Sequence, residues 1–177
     1  MLILLVAGMP GAGKEEFLSV ARSMNIPFLR MGDIVRNLYA STNASEEGLS
    51  VGQFADRERK IHGKNIWAKR ALEKMSGDIF LIDGCRSMDE VLAYKELSNN
   101  VKIVAIHTAP DVRYRRLVER AREDAPKNVE EFNIRDNREM SWGLGNVIAL
   151  SDIMLDNSST LSKFYSTSKE LLEAVRK

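Results

Sequence analysis

A glycine-rich stretch near the N-terminus has the residue types and spacing to bind phosphate. It follows a short apolar run and has the Walker A pattern G-x-x-x-x-G-K. Glycine adopts the positive φ angles that turn backbone N–H groups onto an anion, and the following helix adds the partial charge of its N-terminus. The pattern predicts a loop that binds nucleotide phosphates, formed by Gly8, Met9, Pro10, Gly11, Ala12, Gly13 and Lys14.

The two residues after the lysine depart from the usual pattern. Such loops normally continue with a serine or threonine that binds Mg²⁺, whereas this chain continues with Glu15 and Glu16. A carboxylate could approach the metal directly or through water, and it would also repel phosphate. We therefore expect Glu15 to be either a metal ligand or an unfavourable neighbour of the phosphates, and the sequence leaves both roles open.

A second candidate site follows the apolar run at residues 80–82. Asp83 stands at the end of that run, where a carboxylate is well placed to hold Mg²⁺ or its waters. Gly84 follows, and Arg86 lies near the same predicted sheet edge, where it could bind a second phosphate. The alternative is that Asp83 only caps the next helix.

A third group is formed by Gly32, Asp33 and Arg36, which follow another apolar run. Taken alone, Asp33 is a helix cap and Arg36 is a solvated side chain. However, ligands of open parallel sheets bind at the carboxyl ends of the strands. Because Lys14 and Arg86 are predicted at the same edge, Arg36 becomes a candidate phosphate ligand.

An arginine-rich region follows residue 110. Arginine pairs with phosphate through a planar fork of N–H groups, which lysine cannot do. For Arg113 and Arg115 we expect solvated side chains that pair with acidic residues along the helix. The arginines of this region are Arg113, Arg115, Arg116, Arg120, Arg122, Arg135 and Arg138.

Five apolar runs predict the strands that position these residues, at 2–7, 27–31, 79–83, 101–107 and 153–155. Helical periodicity separates them, and this alternation predicts an α/β fold with a parallel sheet. Thr108 is a candidate cap for the helix that Pro110 begins. Residues 32–77 form an insertion that we predict to be helical and broken at His62 and Gly63.

Composition excludes several classes of protein. The 177 residues include 26 Lys and Arg against 25 Asp and Glu, a balance that argues against a nucleic-acid-coating protein. A single cysteine, Cys85, excludes an internal disulfide and a cysteine-rich zinc site. The apolar N-terminus lacks a basic segment and is too short to span a bilayer. We therefore expect a cytoplasmic protein with neither nucleic acid nor a membrane as partner.

The chain resembles the nucleoside monophosphate kinases, and adenylate kinases most of all. The loop ending at Lys14 resembles their G-x-P-G-x-G-K, including Pro10. The segments ending at Arg36 and Arg86 resemble two motifs whose arginines hold the acceptor monophosphate. Glu90 stands where adenylate kinases place a glutamine that reads adenine. The overall pattern is most similar to an archaeal group described as adenylate-kinase-related.

The resemblance extends to the C-terminal half. Arg116 and Arg120 are similar to the first arm of the kinases' lid, and Arg135 and Arg138 are similar to the returning arm. The lid between them would be short. Residues 151–158 resemble a C-terminal segment of dephospho-coenzyme A kinases near the adenine of ATP.

The resemblance implies a three-layer P-loop NTPase fold with a five-stranded parallel sheet. It implies one domain over 1–177, with an acceptor-binding insertion at 32–77 and a short lid at 120–138. ATP and Mg²⁺ would be the cofactors, and the acceptor would be a nucleoside monophosphate, with AMP favoured. The implied catalytic residues are Lys14, Asp83, Arg120, Arg135 and Arg138, and the implied acceptor-binding residues are Gly32, Asp33, Arg36, Gly84, Arg86 and Glu90.

Two alternatives stay open at this point. In the first, the acceptor is the hydroxyl of dephospho-coenzyme A, and Asp33 acts as a general base. In the second, the protein is a nucleotide-binding regulator with little turnover, because Glu15, Glu16 and Glu90 each depart from the kinase pattern. The sequence does not indicate the oligomeric state.

Overall fold

The computed structural model describes residues 1–75, 77–121 and 125–176. Its centre is a five-stranded sheet with the strand order β2-β3-β1-β4-β5, in which every pairing is parallel. The predicted α/β fold with a five-stranded parallel sheet is therefore confirmed. The strands are β1 (Leu2–Ala7), β2 (Phe28–Arg30), β3 (Ile79–Asp83), β4 (Val101–His107) and β5 (Ile153–Asp156).

Helices cover both faces of the sheet and follow each strand. Strand β2 is shorter than the predicted run 27–31, because Met31 already begins a helix and Arg30 is its extended N-cap residue. The helices of the described residues are α1 (Lys14–Ser23), α2 (Met31–Ala40), α3 (Val51–His62), α4 (Ile66–Leu72), α5 (Met88–Leu97), α6 (Pro110–Glu119), α7 (Val129–Ser141), α8 (Leu144–Ala149) and α9 (Leu161–Arg176).

Strand β1 separates two hydrophobic cores. Every residue of the strand is buried, and successive side chains of a strand point to opposite faces. Ile3, Leu5 and Ala7 therefore pack under α2–α5 and α8, while the alternate residues pack under α1 and α9. This layering holds the end of β1, and with it the glycine-rich loop, at the middle of the sheet edge.

The insertion between β2 and β3 is helical, as predicted. Helix α3 begins with a capping box between Ser50 and Gln53 and ends at Gly63, whose φ of 96° breaks the helix. Trp67 of α4 is fully buried and donates its indole N–H to the carbonyl of Ala55. The insertion is thus anchored on the same core as the sheet.

Two features bear on the predicted boundaries. The predicted lid, 120–138, contains most of α7, and its residues 122–124, with Arg122, lie outside the described residues. Within 1–75, 77–121 and 125–176, no helix is both long enough and apolar enough to cross a membrane. The division into one domain with an insertion and a lid stays a prediction.

Candidate functional site

The glycine-rich loop connects β1 to α1 and is held by the C-terminal half of the chain. Gly11 and Gly13 have φ angles of 81° and 104°. A Cβ on Gly13 would lie 2.1 Å from Nδ2 of Asn157, so backbone and neighbour both require glycine there. Asn157 is buried and donates from Nδ2 to the carbonyl of Ala12 at 2.9 Å. The loop therefore keeps its shape through a residue that follows β5.

Thr108 supports the same loop, which corrects its predicted role as a cap. Its hydroxyl is 3.0 Å from the carbonyl oxygen of Ala12, to which it can donate. Helix α6 begins at Pro110 with Ala109 as the N-cap residue, and no side chain caps it. Arg116 donates from Nη2 to the carbonyl of Asn157 at 2.9 Å, so α6 is tied to the same network.

Lys14 begins helix α1 at the centre of the site. Its ammonium donates to the carbonyl of Gly8 at 2.6 Å, which places the charge over the loop. Burial lowers the pKa of Lys14, and the carboxylate of Asp83 opposes that effect. A cation with so little water around it interacts strongly with any phosphate that enters the loop.

Asp83 has the surroundings of a metal-binding carboxylate. It ends β3, in register with Val6 of β1 and Arg30 of β2. Its Oδ1 atom is buried and has no hydrogen-bond partner among the described residues. Burial raises the pKa of Asp83, although Lys14 and two arginines oppose the shift. An unpaired oxygen in this position suits a hard divalent cation or its waters.

The alternative in which Asp83 caps the next helix is wrong. Helix α5 begins after Ser87, whose hydroxyl accepts from the backbone N–H of Glu90 at 3.2 Å. The described residues contain no group of three or more His, Cys, Asp or Glu side chains that could hold a metal. Mg²⁺ at Asp83 would therefore take its other ligands from phosphates and water, which is usual for this ion.

The two glutamates after Lys14 have separate partners. Glu15 forms an ion pair with Nη2 of Arg30 at 2.5 Å, across the cleft wall. Glu16 accepts a 2.5 Å hydrogen bond from the hydroxyl of Tyr165 on α9. Glu15 still lines the cleft, so its metal-binding role stays a prediction. Sequence reasoning missed Arg30, although its place at the end of β2 was the available signal.

The acceptor-side residues lie at the same sheet edge. Gly32, Arg36, Gly84 and Arg86 all line the cleft. Arg36 is 61% exposed and pairs with Asp33 at 2.5 Å. Asp33 lies in the first turn of α2 rather than at its cap, because the helix begins at Met31. The carboxylate of Asp33 therefore holds Arg36 instead of capping a helix.

Arg86 has the most contacts of these residues. Its Nε atom donates to Oε2 of Glu139 at 2.7 Å, and its Nη1 atom donates to the carbonyl of Gly84 at 3.2 Å. Its guanidinium also lies 5.6 Å from the ring centre of Trp142. Glu139 comes from α7, so this contact joins the loop of Arg86 to that helix.

Glu90 does not face the cleft, which corrects its predicted role as a substrate-binding residue. The side chain is fully buried and forms an ion pair with Arg59 of the insertion at 3.4 Å. It also accepts the backbone N–H of Arg86 at 2.7 Å. Burial raises the pKa of Glu90 against the effect of Arg59. Through the hydrogen bond from that backbone N–H, Glu90 therefore holds the backbone at Arg86.

The arginines of α6, of its C-terminal end and of α7 lie in different surroundings. Arg116, Arg120 and Arg135 line the cleft. Arg138 is exposed and lies 5.6 Å from the ring centre of Trp142, outside the residues that line the cleft. Arg115 is 66% exposed and pairs with an aspartate one turn earlier, as predicted for a solvated side chain.

Arg113 corrects the expectation of a solvated side chain. Its side chain is 4% exposed and makes two hydrogen bonds to Asp136 of α7, at 3.0 and 2.6 Å. Nη1 also donates to the carbonyl of Pro10 in the glycine-rich loop at 3.0 Å. Arg113 therefore holds α6, α7 and the loop together.

Together these elements enclose one cleft of about 700 Å³ at the carboxyl ends of the strands. The chain as a whole is nearly neutral, but more basic than acidic side chains line the cleft. Such a lining suits a polyanionic small molecule. The basic residues that line it are Lys14, Arg30, Arg36, Arg86, Arg116, Arg120 and Arg135, against the acidic residues Glu15, Glu16, Asp83, Glu119 and Glu139.

Comparison with known sequences shows the family of the chain. Residues 7–133 match a family model described as an AAA domain. The chain is 44% identical to a UPF0200 protein of Thermoplasma volcanium over 172 residues, which cover 96% of each protein. It is also 44% identical to a UPF0200 protein of Hyperthermus butylicus, over 97% of this chain and 93% of that protein. The chain belongs to the AAA domain family and, within it, to the UPF0200 proteins.

Solved structures show the same fold for this UPF0200 protein. Shikimate kinase from Bacteroides thetaiotaomicron superposes with a TM-score of 0.61, at 17% identity, over 97% of this chain and 98% of that one. A gluconokinase from Sinorhizobium meliloti also superposes with a TM-score of 0.61, at 14% identity, over 98% and 93%. The UPF0200 protein thus has the P-loop, kinase-like fold, with its glycine-rich loop between β1 and α1.

Proposed function

We propose that this UPF0200 protein transfers the γ-phosphoryl group of ATP to a nucleoside monophosphate, with AMP as the favoured acceptor. The observation that carries the proposal is one cleft that joins three parts. Lys14, Asp83 and the pair Arg36 and Arg86 all line this cleft. A donor phosphate chain at Lys14 and an acceptor phosphate at Arg86 would meet beside Asp83.

The donor side of the cleft would bind ATP. The backbone N–H groups of the loop and the ammonium of Lys14 would hold the β- and γ-phosphates. Asp83 would hold Mg²⁺ or its waters through its unpaired oxygen. Bound there, Mg²⁺ would neutralise charge that develops on the phosphates.

The acceptor side would place the second phosphate in line with the first. Arg36 and Arg86 would bind it, and Arg120 and Arg135 would stabilise the transferring group. Arg138 would join them only after moving away from Trp142. An acceptor phosphate is already an anion, so positioning and charge stabilisation suffice and no general base is needed. Closure of segments 32–77 and 120–138 would exclude water.

A hydroxyl acceptor is the second candidate, and the position of Asp33 favours it. Its carboxylate is 51% exposed and fixed beside Arg36 on the acceptor side, where it could take a proton from a hydroxyl. The fold neighbours named as shikimate kinase and gluconokinase make such acceptors a reasonable class to test. In that case Asp33→Ala would abolish phosphorylation and leave nucleotide binding intact.

The test is a coupled assay of ADP production with MgATP and a panel of acceptors. The panel contains AMP, the other nucleoside monophosphates, dephospho-coenzyme A, shikimate and gluconate. We expect the fastest turnover with AMP, and we expect Lys14→Met to remove it. Turnover only with a hydroxyl compound would favour the second candidate. Tight nucleotide binding with no acceptor-dependent turnover would contradict both and indicate a nucleotide-binding regulator.

A further inference from the structure

Glu139 is a buried carboxylate inside the cleft that the proposed phosphoryl transfer does not use. It lies on α7, four residues after Arg135, and this spacing places both side chains on one helix face. Both line the cleft. Glu139 is only 6% exposed, and its Oε2 atom accepts the 2.7 Å hydrogen bond from Nε of Arg86. One turn of α7 therefore brings a cation and an anion to the site.

The surroundings of Glu139 keep it ionised. Burial by itself would raise its pKa. Arg86, followed by Lys14 and Arg135, outweighs burial, so the pKa of Glu139 is below its ordinary value. A carboxylate of lowered pKa is a weak base, so Glu139 is better suited to hold a neighbouring cation than to take a proton from a substrate. Its strongest single contact is the one with Arg86.

That contact fixes the orientation of the Arg86 guanidinium. Glu139 holds Nε, the carbonyl of Gly84 holds Nη1, and Glu90 holds the backbone N–H of the same residue. A guanidinium is planar, so two hydrogen bonds to different nitrogens determine the plane of the whole group. The Cζ atom of the group lies over the ring of Trp142, 5.6 Å from the ring centre. Arg86 is thus presented to the cleft in one orientation.

We propose that Glu139 is a positioning residue, which orients Arg86 to bind the phosphate of the acceptor and makes acceptor binding depend on the docking of α7. This inference rests on the proposed function only in assuming that Arg86 binds an anion. The opposing possibility is that Glu139 is simply a counter-ion, whose charge weakens anion binding at Arg86.

Two substitutions of Glu139 separate position from charge. Glu139→Asp keeps the charge but withdraws the carboxylate by one methylene, so it no longer reaches Nε. Glu139→Gln keeps the length of the side chain and one acceptor oxygen but removes the negative charge. Glu130→Asp is the matched control, because Glu130 lies on the same helix and is exposed.

The measurement is calorimetric titration of the full chain with AMP after saturation with MgADP, which fills the donor side. We expect Glu139→Asp to bind AMP at least five-fold more weakly than the wild type. Glu139→Gln should bind AMP within three-fold of the wild type or more tightly. All three variants should bind MgADP as the wild type does, and the melting temperature of each verifies folding. Weak binding by the glutamine variant with normal binding by the aspartate variant would overturn the proposal, and so would equal binding by all.

A second titration tests the role of Glu139 separately from the proposal that AMP is the acceptor. The same variants, saturated with MgADP, are titrated with inorganic phosphate, which any anion site at Arg86 should bind. If the wild type binds phosphate but not AMP, the AMP acceptor is wrong, and the order of the variants still decides the role of Glu139. If the wild type binds neither anion beside MgADP, Arg86 is no anion site and the role of Glu139 is overturned as well.

Discussion

Asp83 is the residue at which the proposed metal-binding function most directly opposes the stability of the folded chain. Its carboxylate is buried, Oδ1 has no partner among the described residues, and burial raises its pKa. The folded chain therefore disfavours the ionised form, which is the form that Mg²⁺ requires. A carboxylate with a perturbed pKa is expected at a functional site, here one whose oxygen is left unpaired until a cation binds.

We predict that Asp83→Asn stabilises the ligand-free protein while it removes the metal site. Because the folded pKa is raised above the unfolded one, the ionised carboxylate costs stability at neutral pH. The amide should raise the free energy of unfolding by on the order of 1 kcal/mol. The gain should vanish as the pH falls below the unfolded value, about 3.9. Urea unfolding between pH 3 and pH 7, without nucleotide or Mg²⁺, measures it.

The same variant should lose its response to Mg²⁺. We expect the Mg²⁺ concentration for half-maximal nucleotide binding or turnover to increase by at least ten-fold. Asp78→Asn is the control, because Asp78 is exposed and lies just before the same strand; it should change neither property. An Asp83→Asn variant with unchanged Mg²⁺ dependence would contradict the assignment of the metal site.

At the scale of elements, Arg113 connects three parts of the molecule. It belongs to α6, pairs with Asp136 of α7 and holds the loop carbonyl of Pro10. Its guanidinium also lies 4.9 Å from the ring centre of Phe132. A buried charge that loses its partner is costly, because neither water nor another charge replaces it.

We predict that Arg113→Ala lowers the free energy of unfolding by about 3 kcal/mol, because Asp136 loses its partner. It should also weaken ADP binding by about ten-fold, since Pro10 is released. Arg115→Ala is the matched control two residues away, and its exposed pair should contribute less than about 1 kcal/mol. Urea unfolding and ADP titration measure both effects. Similar losses for the two variants would show that Arg113 does not connect the three parts.

At the scale of the whole molecule, the fold places the two proposed anion-binding regions in one cleft. The loop after β1 and the residues after β2 and β3 lie at the same sheet edge, because all the strands are parallel. The insertion and α7 then bring charges to that edge from both sides. Lys14 and Arg36 both line this cleft.

We predict that MgADP and AMP stabilise the folded chain together more than either does alone. A ligand at about one hundred times its Kd adds about 2.7 kcal/mol, and ligands at separate sites add their contributions. Thermal unfolding with each ligand and with both measures this. Lys14→Met should remove the ADP response and keep the AMP response. If AMP gives no further shift beside saturating MgADP, the two nucleotides share one site and the proposed acceptor side is wrong.

How far the site could be predicted differs between local and distant contacts. The loop from Gly8 to Lys14 could be predicted from the sequence, because its glycines, its lysine and its flanking strand and helix are contiguous. Arg36 and Arg86, which follow β2 and β3, were also predicted near one edge, since parallel strands align their carboxyl ends. The pair of Asp33 and Arg36 is local, because the two residues lie three apart on one helix. The contact of Arg86 with Glu139 could not be predicted, because the two residues lie 53 apart in the sequence and only packing brings them together.

By itself, the sequence determined the parallel α/β fold, the glycine-rich loop between a strand and a helix, and the strand-end position of Asp83, because periodicity and glycine spacing act over a few residues. Only the tertiary structure decided which of two similar side chains is buried or enters the cleft. Arg113 is buried and Arg115 is solvated, although they lie two residues apart on one helix. Glu139 enters the cleft and Glu90 does not. The physical reason is that a charge is buried only where a partner from a distant segment offsets its lost hydration.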